Sequence, residues 1–279
     1  MEFRVLGPLE VRCGPEVVVI GSRLERALLT ALLLDANRVV SSARLVEALW
    51  GDDSPPSERN SLQTYVARLR RRLGGHGSPI ITRPPGYLIV VDPRDLDSLW
   101  FEELLEQARR TDEPARVLEL LDEALGLWRG PAFAEFAEVG VAGADAVRLE
   151  ELRQQATEER VDALMGLGRA GAAIGQLEAS TVADPLRERS HAQLMGALSR
   201  SGRQVEALRL YQRYRHRLAE LALGRAAGVA ERDPQAASLG LPAAGPGSPV
   251  RQPAGAGDEL RGPGKRGCRA RRRPRARAR

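Results

Sequence analysis

The chain has 279 residues, of which 43% are apolar and 28% are charged, so it can form two domains with hydrophobic cores and is not a disordered protein overall. Its formal net charge of +5 is uneven, because residues 1–91 carry +3, residues 92–222 carry −7 and residues 223–279 carry +9. This asymmetry indicates a nucleic-acid-binding part joined to a part of another kind. Two cysteines, Cys13 and Cys268, are too few for a disulfide framework or a four-ligand metal site.

The first twenty residues alternate apolar and polar side chains in three short runs, which is the pattern of half-buried strands. Gly7-Pro8 and Gly14-Pro15 separate the runs, as turns do. The apolar positions are Phe3, Val5, Leu9, Val11, Val17 and Val19. The sequence therefore predicts three short antiparallel strands with these side chains on the core side.

From Ser22 the apolar spacing becomes helical, and three helices are predicted before the next strands. The second helix can start at Ser41 or Ser42, and the segment GDDSPPSE ends it. Ser57 can cap the third helix, which runs to Leu73. Two short apolar runs, at 80–82 and 87–91, then flank the turn RPPG and predict a hairpin.

The third helix is rich in arginine and has two contrasting faces. One face is an apolar stripe at helical spacing, formed by Leu62, Val66, Leu69 and Leu73. The opposite face gathers an amide, a hydroxyl and two guanidinium groups, from Asn60, Thr64, Arg68 and Arg71. The stripe is expected to join a core, and the polar face is expected to meet a partner.

From Asp92 onward only helical patterns follow one another. Two segments repeat with an offset of 34 residues, which is the tetratricopeptide period, and the repeat aligns Gly168 with Gly202, Ala173 with Ala207 and Leu177 with Tyr211. The second segment predicts a last helix from Gln204 to Leu221. Its inward side chains are expected to be Leu208, Tyr211 and Leu218.

Residues 223–279 change character, since they lack Ile, Phe, Tyr and Trp and end in GKRGCRARRRPRARAR. They are predicted to be a disordered basic tail. Three interpretations stay open for this tail: a nonspecific DNA anchor, an inert extension, or the product of a frameshift in GC-rich DNA.

The order of strands, three helices and a hairpin, with ARLRRRLG followed by IITRPPGYLI, resembles the winged helix-turn-helix of OmpR-type regulators. Together with ALGLWRGPAF and DPLRERSHAQLMGALSRSGRQVEALRLYQRYRHRL, residues 2–221 are similar to the AfsR/SARP family, the Streptomyces antibiotic regulatory proteins. The resemblance implies a winged-helix DNA-binding domain at 1–91 and an all-α, tetratricopeptide-like bacterial transcriptional activation domain at 92–222. It further implies an activator that binds direct repeats near a promoter as a homodimer and contacts RNA polymerase and its sigma factor.

In such a fold the third helix lies in the major groove and the hairpin is a wing beside the minor groove. The residues that this places against bases or phosphates are Arg59, Asn60, Gln63, Thr64, Arg68, Arg70, Arg71 and Arg83. The alternatives are a merely solubilising helix face and, for Arg83, a free surface arginine. In OmpR-type activators the loop before this helix contacts polymerase, which makes Asp52 and Asp53 candidates for that contact, although turn chemistry alone also explains the loop.

No enzyme activity and no cofactor are expected. The segment from Gly166 to Gly171 satisfies G-x-G-x-x-G, but a helical pattern precedes it where a dinucleotide site needs a strand. The sequence holds no P-loop lysine motif, and His76, His191 and His216 have no partners at catalytic or metal-ligand spacing. With no secretory signal and no apolar run long enough for a membrane span, a cytoplasmic, nucleoid-associated protein is expected. The competing interpretation is a protein-interaction adaptor whose winged helix binds no DNA.

Overall fold

A computed structural model describes residues 1–51, 53–74, 77–137 and 141–232, with side chains described as far as Leu221. The chain divides into two units, Met1–Gly224 and Arg225–Arg279. All the described side chains belong to the first unit. The predicted tail at 223–279 lies largely outside the described residues, apart from the helix that continues to Arg232.

Three antiparallel strands open the fold, as predicted: β1 (Glu2–Arg4), β2 (Glu10–Cys13) and β3 (Glu16–Val17), in the order β1-β2-β3. The predicted inward positions in the third strand are wrong, because Val17 is 56% exposed and Val19 is 71% exposed. The two-residue turn at Gly14-Pro15 pairs Cys13 with Glu16, and this register directs Val18 and Ile20 to the core instead. A shift of one residue moves every side chain of a strand to the other face.

The three helices that follow are α1 (Arg23–Leu34), α2 (Ser42–Trp50) and α3 (Glu58–Leu73). Ser22 and Ser41 cap the first two, since the hydroxyl of Ser22 accepts from the backbone N–H of Glu25 and that of Ser41 accepts from the N–H of Arg44, both at 3.2 Å. Ser57 occupies the corresponding position before α3 but its side chain makes no capping bond.

A second sheet joins the hairpin to the front of α2. The hairpin strands are β5 (Ile80–Arg83) and β6 (Gly86–Ile89), and a two-residue strand β4 (Val40–Ser41), which the sequence did not predict, pairs with β6 to give the order β4-β6-β5. Gly86 faces Ser41 in this register. The wing is thereby anchored at the N-terminus of α2.

The regular structure of the second half consists of helices in its described residues, as predicted, apart from one isolated bridge between Leu96 and Phe3. Its helices are α4 (Asp97–Arg109), α5 (Pro114–Gly126), α6 (Gly143–Gly166), α7 (Ile174–Ala183), α8 (Glu188–Arg200) and α9 (Gln204–Arg232), with short 3₁₀ turns at Pro93–Asp95 and Ala170–Ala173. None of the helices in the described ranges has the length and apolar character needed to cross a membrane. A winged-helix region followed by a helical region is the fold class that the sequence predicted.

The 34-residue repeat is visible in the backbone and in the small residues. Gly168 and Gly202 both have left-handed φ angles, 71° and 78°, and both Ala173 and Ala207 are buried. The alignment fails one turn later, because Leu177 is buried and Tyr211 is exposed.

The expected inward face of the last helix was wrong. Leu208, Tyr211 and Leu218 are all exposed, while Ala207 and Leu210 occupy the buried positions. The buried stripe of α9 therefore starts one residue before the stripe that the apolar pattern suggested. Hydrophobicity alone cannot distinguish two adjacent stripes when both carry apolar residues.

Two hydrophobic cores fill the first unit. The first runs from Phe3 to Ala156 and so includes both sheets, α1 to α5 and the first part of α6. The second lies among the later helices, from Leu118 to Leu210. The first core extends across residue 91, so the packing does not separate the two regions at that point. The predicted domain boundary between residues 91 and 92 stays a proposal about function.

Asp97, at the start of α4, connects the helical region to the first strand. Its carboxylate is buried and accepts from the backbone N–H groups of Val5, at 2.7 Å, and Leu6, at 3.1 Å. The backbone N–H of Arg129 donates to Leu6 O at 2.8 Å, and that of Phe133 donates to Val5 O at 2.7 Å. Val5 and Leu6 follow β1, and residues of the helical region satisfy their backbone groups in this way.

Candidate nucleic-acid interface

The exposed face of α3 carries most of the predicted DNA-binding residues. The opposite face is sealed, since Leu62, Val66, Leu69 and Leu73 are all buried in the first core, as the spacing predicted. The residues left on the outer face are Arg59, Asn60, Gln63, Thr64, Arg68 and Arg71, and all of them are exposed. The helix thus presents a polar and basic surface, and its buried apolar face fixes its position on the core.

Several of these side chains make no bond within the described part of the protein that would compete with binding to DNA. Among the described residues, Arg59, Gln63 and Arg71 have no hydrogen-bonding or ion-pair partner for their side chains, and neither does the amide of Asn60. Thr64 differs, because its hydroxyl donates to Asn60 O at 2.9 Å within the helix. Side chains without an internal partner can bind an external ligand without first breaking a bond.

The hairpin stands beside this face. Arg83 ends β5, pairs through its backbone with Gly86 and is exposed. An open depression of about 460 Å³ connects the wing to the helices, with Ser42 of α2, Arg59 and Gln63 of α3, and Pro85 of the hairpin in its lining. The structure therefore brings Arg59 and Gln63 together with the turn of the hairpin, and it leaves Arg83 exposed next to that turn.

Arg70 is turned toward the hairpin. Its Nε donates to Ile80 O at 3.0 Å and its Nη2 donates to the hydroxyl of Thr82 at 2.8 Å, while its guanidinium carbon lies 5.9 Å from the ring centre of Tyr87. These contacts hold the wing against the C-terminal half of α3. A DNA contact by Arg70 stays a prediction, and its observed partners are all in the hairpin.

Glu25 of α1 is a member of the site that sequence reasoning missed. Its carboxylate lies 3.7 Å from Arg68 Nη1 and 3.2 Å from Arg72 Nε, and Arg72 Nη1 also donates to Val19 O at 3.0 Å. The sequence Ser22-x-x-Glu25 has the spacing of a capping box, which would have assigned the carboxylate to its own helix. Nothing in the sequence indicated a partner more than 40 residues away.

The proposed polymerase-contacting loop is described only in part. Asp53 is exposed, and its backbone N–H donates to Trp50 O at 3.0 Å. Asp52 lies outside the described residues. The loop follows Gly51, whose φ of 54° ends α2.

The features that would suggest catalysis have structural roles in the described part of the chain. The G-x-G-x-x-G segment begins at the last residue of α6, so a helix precedes it. His191 is buried in α8 with its Nε2 3.1 Å from Pro185 O, and its ring stacks on Tyr214 of α9 with centroids 4.1 Å apart. Burial lowers the pKa of His191, which favours the neutral ring.

Comparisons with known proteins agree with this arrangement. Residues 16–89 match the family described as "Transcriptional regulatory protein, C terminal", and residues 96–235 match the "Bacterial transcriptional activator domain". Together the two matches cover both the winged-helix region and the helical region. These families describe regulation of transcription and not catalysis, as the sequence predicted.

Individual relatives give the same result. The chain is 40% identical to Regulatory protein AfsR of Streptomyces griseus over 79% of this chain and 23% of AfsR, and 34% identical to Regulatory protein DnrI of Streptomyces peucetius over 78% of this chain and 85% of DnrI. A solved structure of Mycobacterium tuberculosis EmbR in complex with a low affinity phosphopeptide superposes with a TM-score of 0.75 at 31% identity, over 78% of this chain and 60% of that chain. The chain therefore spans less than a quarter of AfsR but most of DnrI.

Proposed function

The chain belongs to the SARP family of transcriptional regulators, in which an OmpR-type winged helix precedes a bacterial transcriptional activator domain, and on this basis we propose that it is a sequence-specific, DNA-binding activator. The observation that carries the proposal is the outer face of α3. Six polar or basic side chains project from a helix whose other face is buried, and Pro85 of the wing lines the same depression as Arg59 and Gln63. Arginine suits guanine and asparagine suits adenine in the major groove.

The finer assignment follows from the family. We propose that the target is the gene cluster of a secondary metabolite such as an antibiotic, that the operator consists of direct repeats near the promoter, and that two copies of the chain bind it side by side. Residues 92–222 would mediate self-association and contact with RNA polymerase or its sigma factor. A bacterial activator works on the chromosome, so this function places the protein in the cytoplasm.

The test is selection of duplexes by the protein from a randomised pool, followed by affinity measurements on the selected duplex and on a scrambled one. We expect Asn60→Ala and Arg68→Ala to weaken binding to the selected duplex by about 1 to 3 kcal/mol each, because each removes a base contact, with a smaller loss on the scrambled duplex. Arg71→Ala and Arg83→Ala should weaken binding to both duplexes and reduce its salt dependence, because each removes a phosphate contact.

A matched control is Arg116→Ala, since Arg116 is an exposed arginine on α5, far along the chain from the proposed interface, whose ion pair is with Glu119 of its own helix. It should leave both affinities unchanged. If the protein selects no sequence and binds duplexes without salt dependence, the adaptor interpretation replaces the activator. If Asn60→Ala and Arg68→Ala keep the wild-type preference, the recognition assignment is wrong.

A second prediction concerns the loop between α2 and α3. Asp53 is exposed beside two prolines, where an acidic side chain can meet a basic surface on polymerase. The double variant Asp52→Ala with Asp53→Ala is expected to protect the operator as well as the wild type does while lowering transcription several-fold in vitro. Loss of protection in this variant would show that the loop serves the fold or the operator.

A further inference from the structure

Glu25 is a charged side chain in an unusual place. It lies in the first turn of α1 and is only 2% exposed, although the helix cap is already provided by Ser22. Its carboxylate turns away from its own helix end and toward α3. Buried carboxylates are rare without a cationic partner, because removing the charge from water is costly.

Arg72 is the more firmly held of its two partners. Its Nε lies 3.2 Å from Glu25 Oε2, its Nη1 donates to Val19 O, and its guanidinium occupies the space left by the missing side chain of Gly21. A Cβ at Gly21 would lie 2.7 Å from Arg72 Nη2. The surroundings of Arg72 thus direct it to the protein rather than outward.

Arg68 is held more loosely. Its Nη1 lies 3.7 Å from Glu25 Oε1, and its side chain is 48% exposed. Like the contact of Arg72 with Oε2, this is an ion pair without a hydrogen bond. Its guanidinium also lies 5.7 Å from the ring centre of Tyr65. Glu25 therefore sets the direction of Arg68 while leaving it free to turn outward.

The burial of the three groups decides which of them can move. Glu25 cannot reach solvent, whereas Arg68 and Arg72 are both about half exposed. If DNA drew both arginines away, a buried carboxylate would remain without a counter-charge, which is strongly unfavourable. One arginine must stay, and Arg72, with its additional bond to Val19 O, is the one that the geometry retains.

We propose that Glu25 is a positioning residue, which withdraws Arg72 from the DNA and leaves Arg68 free to contact it. The inference rests on the proposed DNA-binding function. By neutralising one arginine, Glu25 reduces the number of phosphates that α3 can bind on any sequence. The sequence-independent part of the affinity is weaker as a result.

The test uses the full chain and the variant Glu25→Gln, which keeps the size of the side chain and removes its charge. Affinities are measured from low to moderate salt on the duplex selected by the wild type and on a scrambled duplex. Release of Arg72 should strengthen binding to the scrambled duplex several-fold at low salt and steepen its salt slope by about 0.9, the value for one additional phosphate contact. Binding to the selected duplex should strengthen by a similar factor, because a phosphate contact does not depend on the sequence.

Two further variants separate this role from a merely structural one. The double variant Glu25→Gln with Arg72→Gln should return the scrambled-duplex affinity and its salt slope to wild-type values. Arg72→Gln alone leaves Arg68 as the remaining counter-charge of Glu25, so it should behave as Arg68→Ala does on both duplexes. This test stands even if thermal unfolding shows that Glu25→Gln does not fold. A structural defect would instead weaken the binding of both duplexes to a similar extent.

The inference is overturned if Glu25→Gln folds and leaves the scrambled-duplex slope unchanged, or if Arg72→Gln lowers that slope by more than Arg68→Ala does. Either result, with a wild type that still prefers its selected duplex, leaves the proposed function intact. A wild type that binds no duplex overturns the proposed function, and this inference with it.

Discussion

Replacing Gly86 with alanine is expected to lower the free energy of unfolding by about 3 kcal/mol and to abolish operator binding, because the new Cβ has no space. It would lie 1.9 Å from Val40 O and 2.8 Å from both Ser41 Cα and Ser42 N. All three atoms are backbone, so no side chain can rotate out of the way. The pairing of β4 with β6 would have to open, and the wing would lose its anchor on α2.

Gly74→Ala is the matched control. Gly74 follows the last residue of α3 and has an ordinary φ of −92°, and a Cβ added there would meet no described atom within 4 Å. Its substitution should change stability by less than about 0.5 kcal/mol. Urea unfolding of the two variants makes the comparison, and a Gly86→Ala protein as stable as the wild type would show that β4 and β6 do not approach each other as described.

The second large effect is expected at Asp97. Asp97→Ala removes the acceptor for two buried backbone N–H groups, those of Val5 and Leu6, and should destabilise the protein by roughly 1 to 3 kcal/mol at pH 7.5. Asp112→Ala is the control, because Asp112 is exposed in the turn between α4 and α5. It should have little effect.

The free energy of unfolding that Asp97→Ala loses should also depend on pH. Burial raises the pKa of this carboxyl from 3.8 to about 6, against the opposing effect of the bonds from Val5 and Leu6. The folded state therefore binds the proton more tightly than the unfolded state, and the contribution of Asp97 to stability is greatest below pH 3.8 and is lost as the pH rises through 6.

The wild type should accordingly gain about 2 kcal/mol from this group between pH 7.5 and pH 4.5, and Asp97→Ala should lack that gain. Urea unfolding at the two pH values gives the free energy of unfolding of both proteins. The difference between the proteins at each pH is free of the titration of the other groups, which both proteins share. An equal pH response in both proteins would mean that Asp97 titrates as an exposed carboxyl does.

Local signals in the sequence were sufficient for most of the elements. Ser22 and Ser41 identified two helix starts, and the spacing of leucines in α3 identified its buried face, because both signals depend on neighbours within one or two turns. The strand β4 could not be found in this way. It has two residues and exists only because β6, more than 40 residues later, pairs with it.

The candidate site shows the same limit. Periodicity identified the outer face of α3, since a helix fixes which residues share a face. It could not reveal that Arg70 is bonded to the hairpin or that Glu25 faces Arg72, because both contacts depend on how separate elements pack. The sequence thus predicted which side chains are outside, and only the fold shows which of them are already engaged.

The hydrophobic core that continues from Phe3 to Ala156 has a consequence for protein engineering. A chimera that joins two relatives at residue 91 would take Val5 and Leu6 from one protein and their hydrogen-bonding partners Asp97, Arg129 and Phe133 from the other. The transplant that keeps this core intact takes residues 1–156 as one piece and places the joint within α6. The winged-helix region, α4, α5 and the first part of α6 are then exchanged together as one unit.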